Sequence, residues 1–463
     1  MMNSQISTLS KRKYTHNILD SIEVEMEITK NPFQLPIEKL FTMAARINKK
    51  RSFLFVSKVL GKHLPINPNK GLLTAALLAA KYAESVKGLE CAEKDRLLSL
   101  FTMDEPSFKS ISIVPSPVNP LVIGFAETAT ALGHAFFACF ESAEYFHTTR
   151  ELLLDQDPEI TFEEEHSHAT SHLCYIPREM IQHEREIILV DDEMTTGKTA
   201  LNIIQSIHAQ FPRHDYTVVS ILDWRSEDHK REFALLEKTL GITIHVVSLL
   251  AGKMKVIKYK ELHEHLVEKG MNIRMEAKVE YLQLSSFFST SNFISINSWD
   301  EAPYIQETGR FGLRSTNNEA TQFKIEAAAT FLSQKRKGKK TLCLGTGEFM
   351  YLPMKLAAEM GKGVFYQSTT RSPIYIQNTE GYGAKHGITF PNPEDHSISH
   401  FVYNIPTCHY DEIFIFFERE IELKNLKPLL NELEKLQIKS IKLVFFSKRP
   451  EVNLCQKHSI NLP

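Results

Sequence analysis

Cysteine, long apolar runs and net charge are all scarce in this sequence. Its six cysteines (Cys91, Cys139, Cys174, Cys343, Cys408 and Cys455) are scattered, with no C-x-x-C pair. That spacing excludes a zinc ribbon and gives no disulfide framework, so the thiols are read as reduced. The longest apolar run, GLLTAALLAA from Gly71, stops at Lys81 and is too short to cross a bilayer. The first residues, MMNSQISTLSKRKY, lack the apolar core of a secretion signal. Reduced thiols without such a signal make the cytoplasm the expected compartment. A formal charge of −2 offers nothing global to attract nucleic acid, and there is no obvious helix-turn-helix. No G-x-x-x-x-G-K-[ST] loop is present, which excludes a Walker-type phosphate site.

What is present is ample core-forming material. The chain has 463 residues, 43% of them hydrophobic and 24% charged, enough for two or three domains with cores of their own. One stretch organises the rest, Ile187 to Thr199, IILVDDEMTTGKT. Ile187, Ile188, Leu189 and Val190 read as a fully buried strand. Asp191 and Asp192 follow, then the small and hydroxyl residues Thr195, Thr196, Gly197, Lys198 and Thr199. Beyond them Leu201, Ile204, Ile207 and Phe211 share one helical face. A helix start presents free N–H groups and the positive end of its dipole to an anion. The three threonines add hydroxyl donors, and Gly197 lets backbone approach closely. The two aspartates can accept hydrogen bonds from sugar hydroxyls or hold a hydrated Mg²⁺. Open α/β sheets bind ligands just beyond strand carboxyl ends, where this unit lies.

Other blocks surround this one. In NPLVIGFAETATALGHAFFACF, a strand over Leu121, Val122 and Ile123 turns through Gly124 into a helix. Glu127, Thr128, Ala129 and Thr130 occupy the turn, where small residues let backbone amides face a diphosphate. EYFHTTRE, from Glu144 to Glu151, reads as the next strand. Its Arg150 is either a bidentate partner for phosphate oxygens or a surface arginine. The stretch FEEEHSHATSH gathers Glu163, Glu164, Glu165, His166, His168 and His172. It fits a loop with a proton-donating histidine, a divalent-metal site or a solvated loop. YTVVSILDWRSED gives a buried strand, Val218 to Leu222, ending at Asp223, Trp224 and Arg225. ITIHVVSLLAG reads as the last strand of this domain, and Tyr259 to Gly270 as a helix after it. Earlier, Leu40, Phe41, Ala44 and Ile47 fit an amphipathic helix. It is followed by the cations Arg46, Lys49, Lys50 and Arg51, then Lys58 and Lys62 with His63, which meet phosphates or form a solvated face. GLLTAALLAAKYAESVKG reads as a helix ended by Gly88.

The second half echoes the first in order. Gly345, Glu348 and Arg371 each lie 221 residues after Gly124, Glu127 and Arg150. His396 lies 230 after His166 and Tyr403 lies 228 after Tyr175. The apolar strand survives as Ile413 to Phe417, with Glu418 and Glu420 beyond, but the T-T-G-x-T loop is gone. Blocks in matching order point to a duplicated unit whose second copy has lost that loop but keeps a turn at Gly345 to Glu348.

The Ile187 to Thr199 segment resembles the phosphoribosyl pyrophosphate (PRPP) signature of type I phosphoribosyltransferases. STTRSPIY, from Ser368 to Tyr375, resembles the TRSP domain found behind a phosphoribosyltransferase domain in proteins of bacterial tellurite-resistance and stress gene clusters. The resemblance covers about Leu35 to the C-terminus. It implies a parallel sheet flanked by helices, the type I phosphoribosyltransferase fold, followed by a second, degenerate phosphoribosyltransferase-like α/β domain. The expected segments are an extension over 1–34, the transferase domain over 35–262, a linker over 263–305 and the TRSP-type domain over 306–463. It implies that Asp191 and Asp192 face the ribose 2′ and 3′ hydroxyls and hold Mg²⁺. It implies that Thr195, Thr196, Gly197, Lys198 and Thr199 wrap the 5′-phosphate. Glu127, Thr128, Ala129, Thr130 and Arg150 then receive pyrophosphate, and a histidine from His166, His168 or His172 closes over it. The family's loop lysine is absent here. Orotate phosphoribosyltransferases have a similar strand ending in Asp-Arg, which assigns Trp224 and Arg225 to the acceptor. The expected activity is transfer of 5-phosphoribosyl from PRPP to a base-like acceptor in the making of a nucleoside-like metabolite. The alternative is a PRPP- or nucleotide-sensing regulator that does not catalyse. The expected partners are PRPP and a base-like small molecule, with no membrane and no nucleic acid, and the expected assembly is a homodimer.

Overall fold

A computed structural model describes residues 6–10, 13–47, 52–163, 171–260, 262, 276–296 and 302–450. The strand Ile187–Met194 lies near the middle of a nine-stranded sheet. Leu121–Gly124 and Asp215–Asp223 pair with it in parallel, one on each side. Glu144–His147 and Thr243–Tyr259 continue the parallel core outward. Three antiparallel strands, Ile22–Lys30, Lys13–Ile18 and Ile6–Ser10, extend the far edge. The N-terminal stretch expected as an extension over 1–34 thus supplies three strands of the main sheet.

Alternation along the central strands feeds two cores, as a two-residue side-chain period requires. Ile187, Leu189 and Val218 enter one, and Ile188, Val190 and Val219 enter the other. Strands buried on both faces read as continuous apolar runs, which is why these are legible in the sequence. Helix Lys198–Gln210 buries Leu201, Ile204 and Ile207 on the first face. Helix Pro68–Lys87 covers the second. It is capped by the Asn67 side chain, which accepts from Asn69 N–H at 3.0 Å, and ends at left-handed Gly88.

Two expectations change. Phe41–Ala45 is a strand paired with Phe53–Ser57, not an amphipathic helix. All five of its residues are buried, so helical spacing within a stretch enclosed on every side carried no facial information. The helix expected from Tyr259 begins on the last residue of a strand, and most of the rest lies outside the described residues.

A second sheet holds five parallel strands in the order Lys278–Gln283, Ser440–Phe445, Glu412–Phe417, Thr341–Gly345 and Val364–Ser368. The expected linker over 263–305 therefore supplies an edge strand. The expected boundary at 306 is crossed in turn: Leu313–Arg314 pairs with Glu144–Tyr145 at the edge of the first sheet.

The echo in the sequence is an echo in hydrogen bonds. Gly124 faces Val190 and His147 across the first sheet, as Gly345 faces Phe416 and Ser368 across the second. Thr148 N–H donates to Gly124 O at 2.9 Å, and Thr369 N–H to Gly345 O at 3.0 Å. The Thr148 hydroxyl accepts from Ala126 N–H and meets His172 Nδ1 at 2.8 Å. The Thr369 hydroxyl accepts from Gly347 N–H and meets His400 Nδ1 at 3.1 Å. Tyr175 and Tyr403 accept from the amides of Leu153 and Ile374. The two halves are two copies of one arrangement.

They share one core. Helix Ala129–Phe137 of the first half packs on helix Tyr351–Glu359 of the second, with the His134 ring 3.7 Å from the Tyr351 ring. No described helix is long and apolar enough to cross a membrane.

Burial holds three histidines neutral. The pKa falls to about 3 at His134 and His147 and to about 4 at His400, in each case mainly by desolvation. The unfolded chain protonates them near pH 6.5 and the folded chain does not. Stability is therefore full above pH 6.5 and lost as pH falls toward 4. Burial also raises the Glu394 and Glu418 carboxyls, which acts in the opposite sense from the ordinary carboxylate range upward and offsets part of this loss. Thermal melts should show a lower Tm at pH 5.5 than at 7.5. A profile flat over that interval contradicts neutral burial of the three.

Candidate functional site

The signature strand carries its acids out of the core. Ile187 to Val190 are buried, while Asp191, Asp192 and Glu193 are half-exposed. Asp191 Oδ1 accepts from Asp192 N–H at 2.8 Å. This bond pins the first carboxylate against the backbone. Thr195, Thr196, Gly197, Lys198 and Thr199 are half-exposed as well. Gly197 caps the helix in the left-handed region at φ 77°. A Cβ there would sit 2.6 Å from the Phe233 ring, so both conformation and space require glycine. Gly197→Ala should cost about 1–2 kcal/mol from backbone strain and displace the turn. Denaturant titration checks the first effect; an unchanged midpoint contradicts it.

The second element adjoins the first. Phe125 N–H donates to Val190 O at 3.2 Å, which places the 125–130 turn beside the acid-bearing strand end. Thr128, Ala129 and Thr130 are buried there. The Thr130 hydroxyl is spent on the carbonyls of Glu127 at 2.9 Å and Glu348 at 3.0 Å. A Cβ on Gly124 would lie 2.7 Å from Ala129 O, so this turn closes only over glycine. The Glu127 carboxylate is buried beside Arg371 of the second half, Oε1 to Nε 3.4 Å.

Arg150 lies at the seam between halves. Its backbone N–H donates to Glu348 Oε1 at 2.8 Å, and the Thr149 hydroxyl donates to Glu348 Oε2 at 2.6 Å. The pairing is reciprocal. Glu348 of the second half takes the Thr149–Arg150 corner of the first, and Glu127 of the first takes Arg371 of the second. His172 is buried, stacked 5.1 Å from Phe162, and bonded to the Thr148 corner. His166 and His168 lie outside the described residues.

Trp224 and Arg225 follow the neighbouring strand. The Trp224 ring is buried and stacked on Phe55 at 5.1 Å and 6°, with Phe41 edge-on at 6.0 Å. Arg225 donates twice to Asp223, from Nε and Nη2, each at 2.9 Å, and lies over the Phe233 ring. The hairpin that supplies Phe41 and Phe55 is stitched to the second half. Thr42 Oγ1 donates to Gly381 O, Gly383 N–H to Met43 O, and Ala45 N–H to Tyr382 Oη.

The copies part company at the strand end. In register, Phe417, Glu418 and Arg419 stand where Asp191, Asp192 and Glu193 stand. Instead of a half-open acidic edge there is a buried ionic cluster. Arg310 holds both oxygens of Glu418 at 2.9 and 2.8 Å and approaches Glu348 at 3.6 Å. Arg419 meets Glu394 at 2.8 Å and Glu151 at 3.3 Å. The Tyr304 ring lies between the two guanidiniums, its hydroxyl on Glu151. Among the described residues no three metal-ligating side chains converge. Two adjacent carboxylates nevertheless suit Mg²⁺, which takes one or two protein oxygens and completes its shell with phosphate and water.

The family model of phosphoribosyl transferases matches residues 40–253. The model of the TRSP domain, which lies C-terminal to that transferase, matches residues 307–433. The chain is a phosphoribosyl transferase domain followed by a TRSP domain. No curated protein matches it. Among solved structures, it is similar to the adenine phosphoribosyltransferase of Trypanosoma brucei at 11% identity and TM-score 0.31, covering 58% of this chain and 97% of that one. The enzyme from Leishmania tarentolae aligns at 14% identity and TM-score 0.28, covering 53% and 94%.

The sequence singled out the site turns but not their cross-half partners. Phe41, Phe55, Glu348 as a clasp for Arg150, and the Arg310–Glu418 pair were not marked. The one signal that pointed there was the constant 221-residue offset, which makes each glutamate and arginine a matched set.

Proposed function

We propose that the first half binds PRPP at the Asp191 to Thr199 turn and transfers its 5-phosphoribosyl group to a nitrogenous, base-like acceptor, releasing pyrophosphate. The observation that carries this reading is the contact between two turns, Phe125 N–H on Val190 O. It sets a half-exposed acidic pair with a threonine-lined helix start directly beside a second glycine turn. One ligand bearing a sugar between two phosphoryl groups spans such a pair.

In this reading the chain's own groups bind and orient. Asp191 and Asp192 accept from the ribose hydroxyls and hold the ring. Thr195 to Thr199 give the 5′-phosphate hydroxyl and backbone donors at a helix start. The Phe125 to Thr130 turn faces the diphosphate. Positive charge develops at the ribose C1 as pyrophosphate leaves, so fixed donors around the departing oxygens lower the barrier. Asp191 and Asp192 also hold Mg²⁺, which supplies charge neutralisation on the diphosphate when bound. The acceptor enters on the side of the strand end that carries Asp223, Trp224 and Arg225; the Trp224 ring, buried and already stacked on Phe55, supports that wall from behind and does not itself stack on the acceptor. His166 and His168 stand as candidates to close over the site.

The test is pyrophosphate release from PRPP and Mg²⁺ across a panel of purine, pyrimidine and pyridine bases. Release that depends on one class of base supports the transfer reaction. Firm PRPP binding with no release for any base turns the reading toward a ligand sensor.

A further inference from the structure

Glu127 poses a problem for a diphosphate site. Its carboxylate is buried in the turn that would receive an anion, and an uncompensated negative charge there repels one. The second half resolves it. The side chain of Arg371 reaches the turn from the corner that follows Val364–Ser368, and its Nε lies 3.4 Å from Glu127 Oε1. Among the described residues this is the guanidinium's one ion pair, and it donates no hydrogen bond. Nε is the guanidinium nitrogen paired with Glu127, without a hydrogen bond between them, and neither Nη is spent. Arg371 is partly open, at 22% side-chain exposure, whereas Glu127 is at 9%. His400 lies in the same junction. It is buried, its Nδ1 is bonded to Thr369, and its Nε2 has no partner. Glu127 and Arg371 both act on its charge.

The geometry points to Arg371 as a diphosphate-binding residue of the first half's site, delivered by the second half of the same chain. This rests on the reading that the first half takes PRPP. With no ligand, Glu127 neutralises Arg371 and keeps it at the turn. When a diphosphate arrives, the unspent Nη groups donate to its oxygens, in the planar geometry that arginine offers phosphate. The second half thereby completes the site in addition to packing against it. Its own mirror-image turn cannot work this way. The matching glutamate, Glu348, is clasped by Thr149 and Arg150 and faces Arg310.

Calorimetry with two separate probes tests this. Ribose 5-phosphate reports the Thr195 to Thr199 turn, and inorganic pyrophosphate with Mg²⁺ reports the 125–130 turn. Arg371→Gln should weaken pyrophosphate at least tenfold and leave ribose 5-phosphate unchanged, and Arg371→Lys should recover part of the loss. The double variant Glu127→Gln with Arg371→Gln leaves no buried charge unpaired. It should melt near the wild-type temperature and still lack pyrophosphate affinity. Unchanged pyrophosphate affinity in Arg371→Gln or in the double variant overturns the assignment. So does wild-type protein that binds ribose 5-phosphate but not pyrophosphate. Failure of wild-type protein to bind either probe overturns the PRPP reading itself.

Discussion

Arg310→Ala should destabilise the folded chain by about 3–5 kcal/mol, the cost of leaving a buried partner charge alone. Arg310 is 1% exposed. It spans the seam, holding both Glu418 oxygens and facing Glu348, while Glu348 grips the Thr149–Arg150 corner of the other half. Removing the guanidinium strands two buried carboxylates and frees one face of the Tyr304 ring. Because Leu313–Arg314 then runs into the edge of the first sheet, the damage should not stay within the second half. Denaturant unfolding should remain a single transition at a lower midpoint. A shift worth less than about 1 kcal/mol contradicts the view that this cluster locks the halves, since that is the range of an exposed pair.

Asp191→Asn with Asp192→Asn should lower PRPP affinity by about 100-fold or more. Hydrogen bonds to charged groups contribute about 1.5–3 kcal/mol each, and about 1.4 kcal/mol is a factor of ten. Asparagine keeps the shape but removes the charge that strengthens both bonds. Both side chains are half-exposed and outside the core, so stability should change by less than about 0.5 kcal/mol. Calorimetric titration alongside a thermal melt separates the effects. Affinity within threefold of wild type contradicts the ribose assignment, whatever the melt shows.

Strands buried on both faces announced themselves. Ile187 to Val190, Leu121 to Ile123 and Val218 to Leu222 are apolar runs ending at turns, and all three stand at the centre of the first sheet. The Asp191 to Thr199 turn was legible because its chemistry is local: acids, hydroxyls and one glycine in a fixed order. Phe41–Ala45 was misread, because an element enclosed on every side leaves no polar face to give its period. Lys278–Gln283 was hidden in an expected linker, since a short half-exposed edge strand has little pattern of its own. The seam was the least legible part. That the Thr149–Arg150 corner meets Glu348 depends on which half packs on which corner, and no local run encodes that. Only the repeated spacing hinted at it, by giving Glu127 and Arg150 counterparts in Glu348 and Arg371.

The most direct measurement is a titration of wild-type protein with PRPP in the presence of Mg²⁺, read by calorimetry. A half-open acidic strand end occurs in the first half, and its counterpart in the second is filled by Glu418 and Arg419. One equivalent per chain is therefore expected, abolished by the double asparagine variant. No binding, or two equivalents per chain, contradicts it.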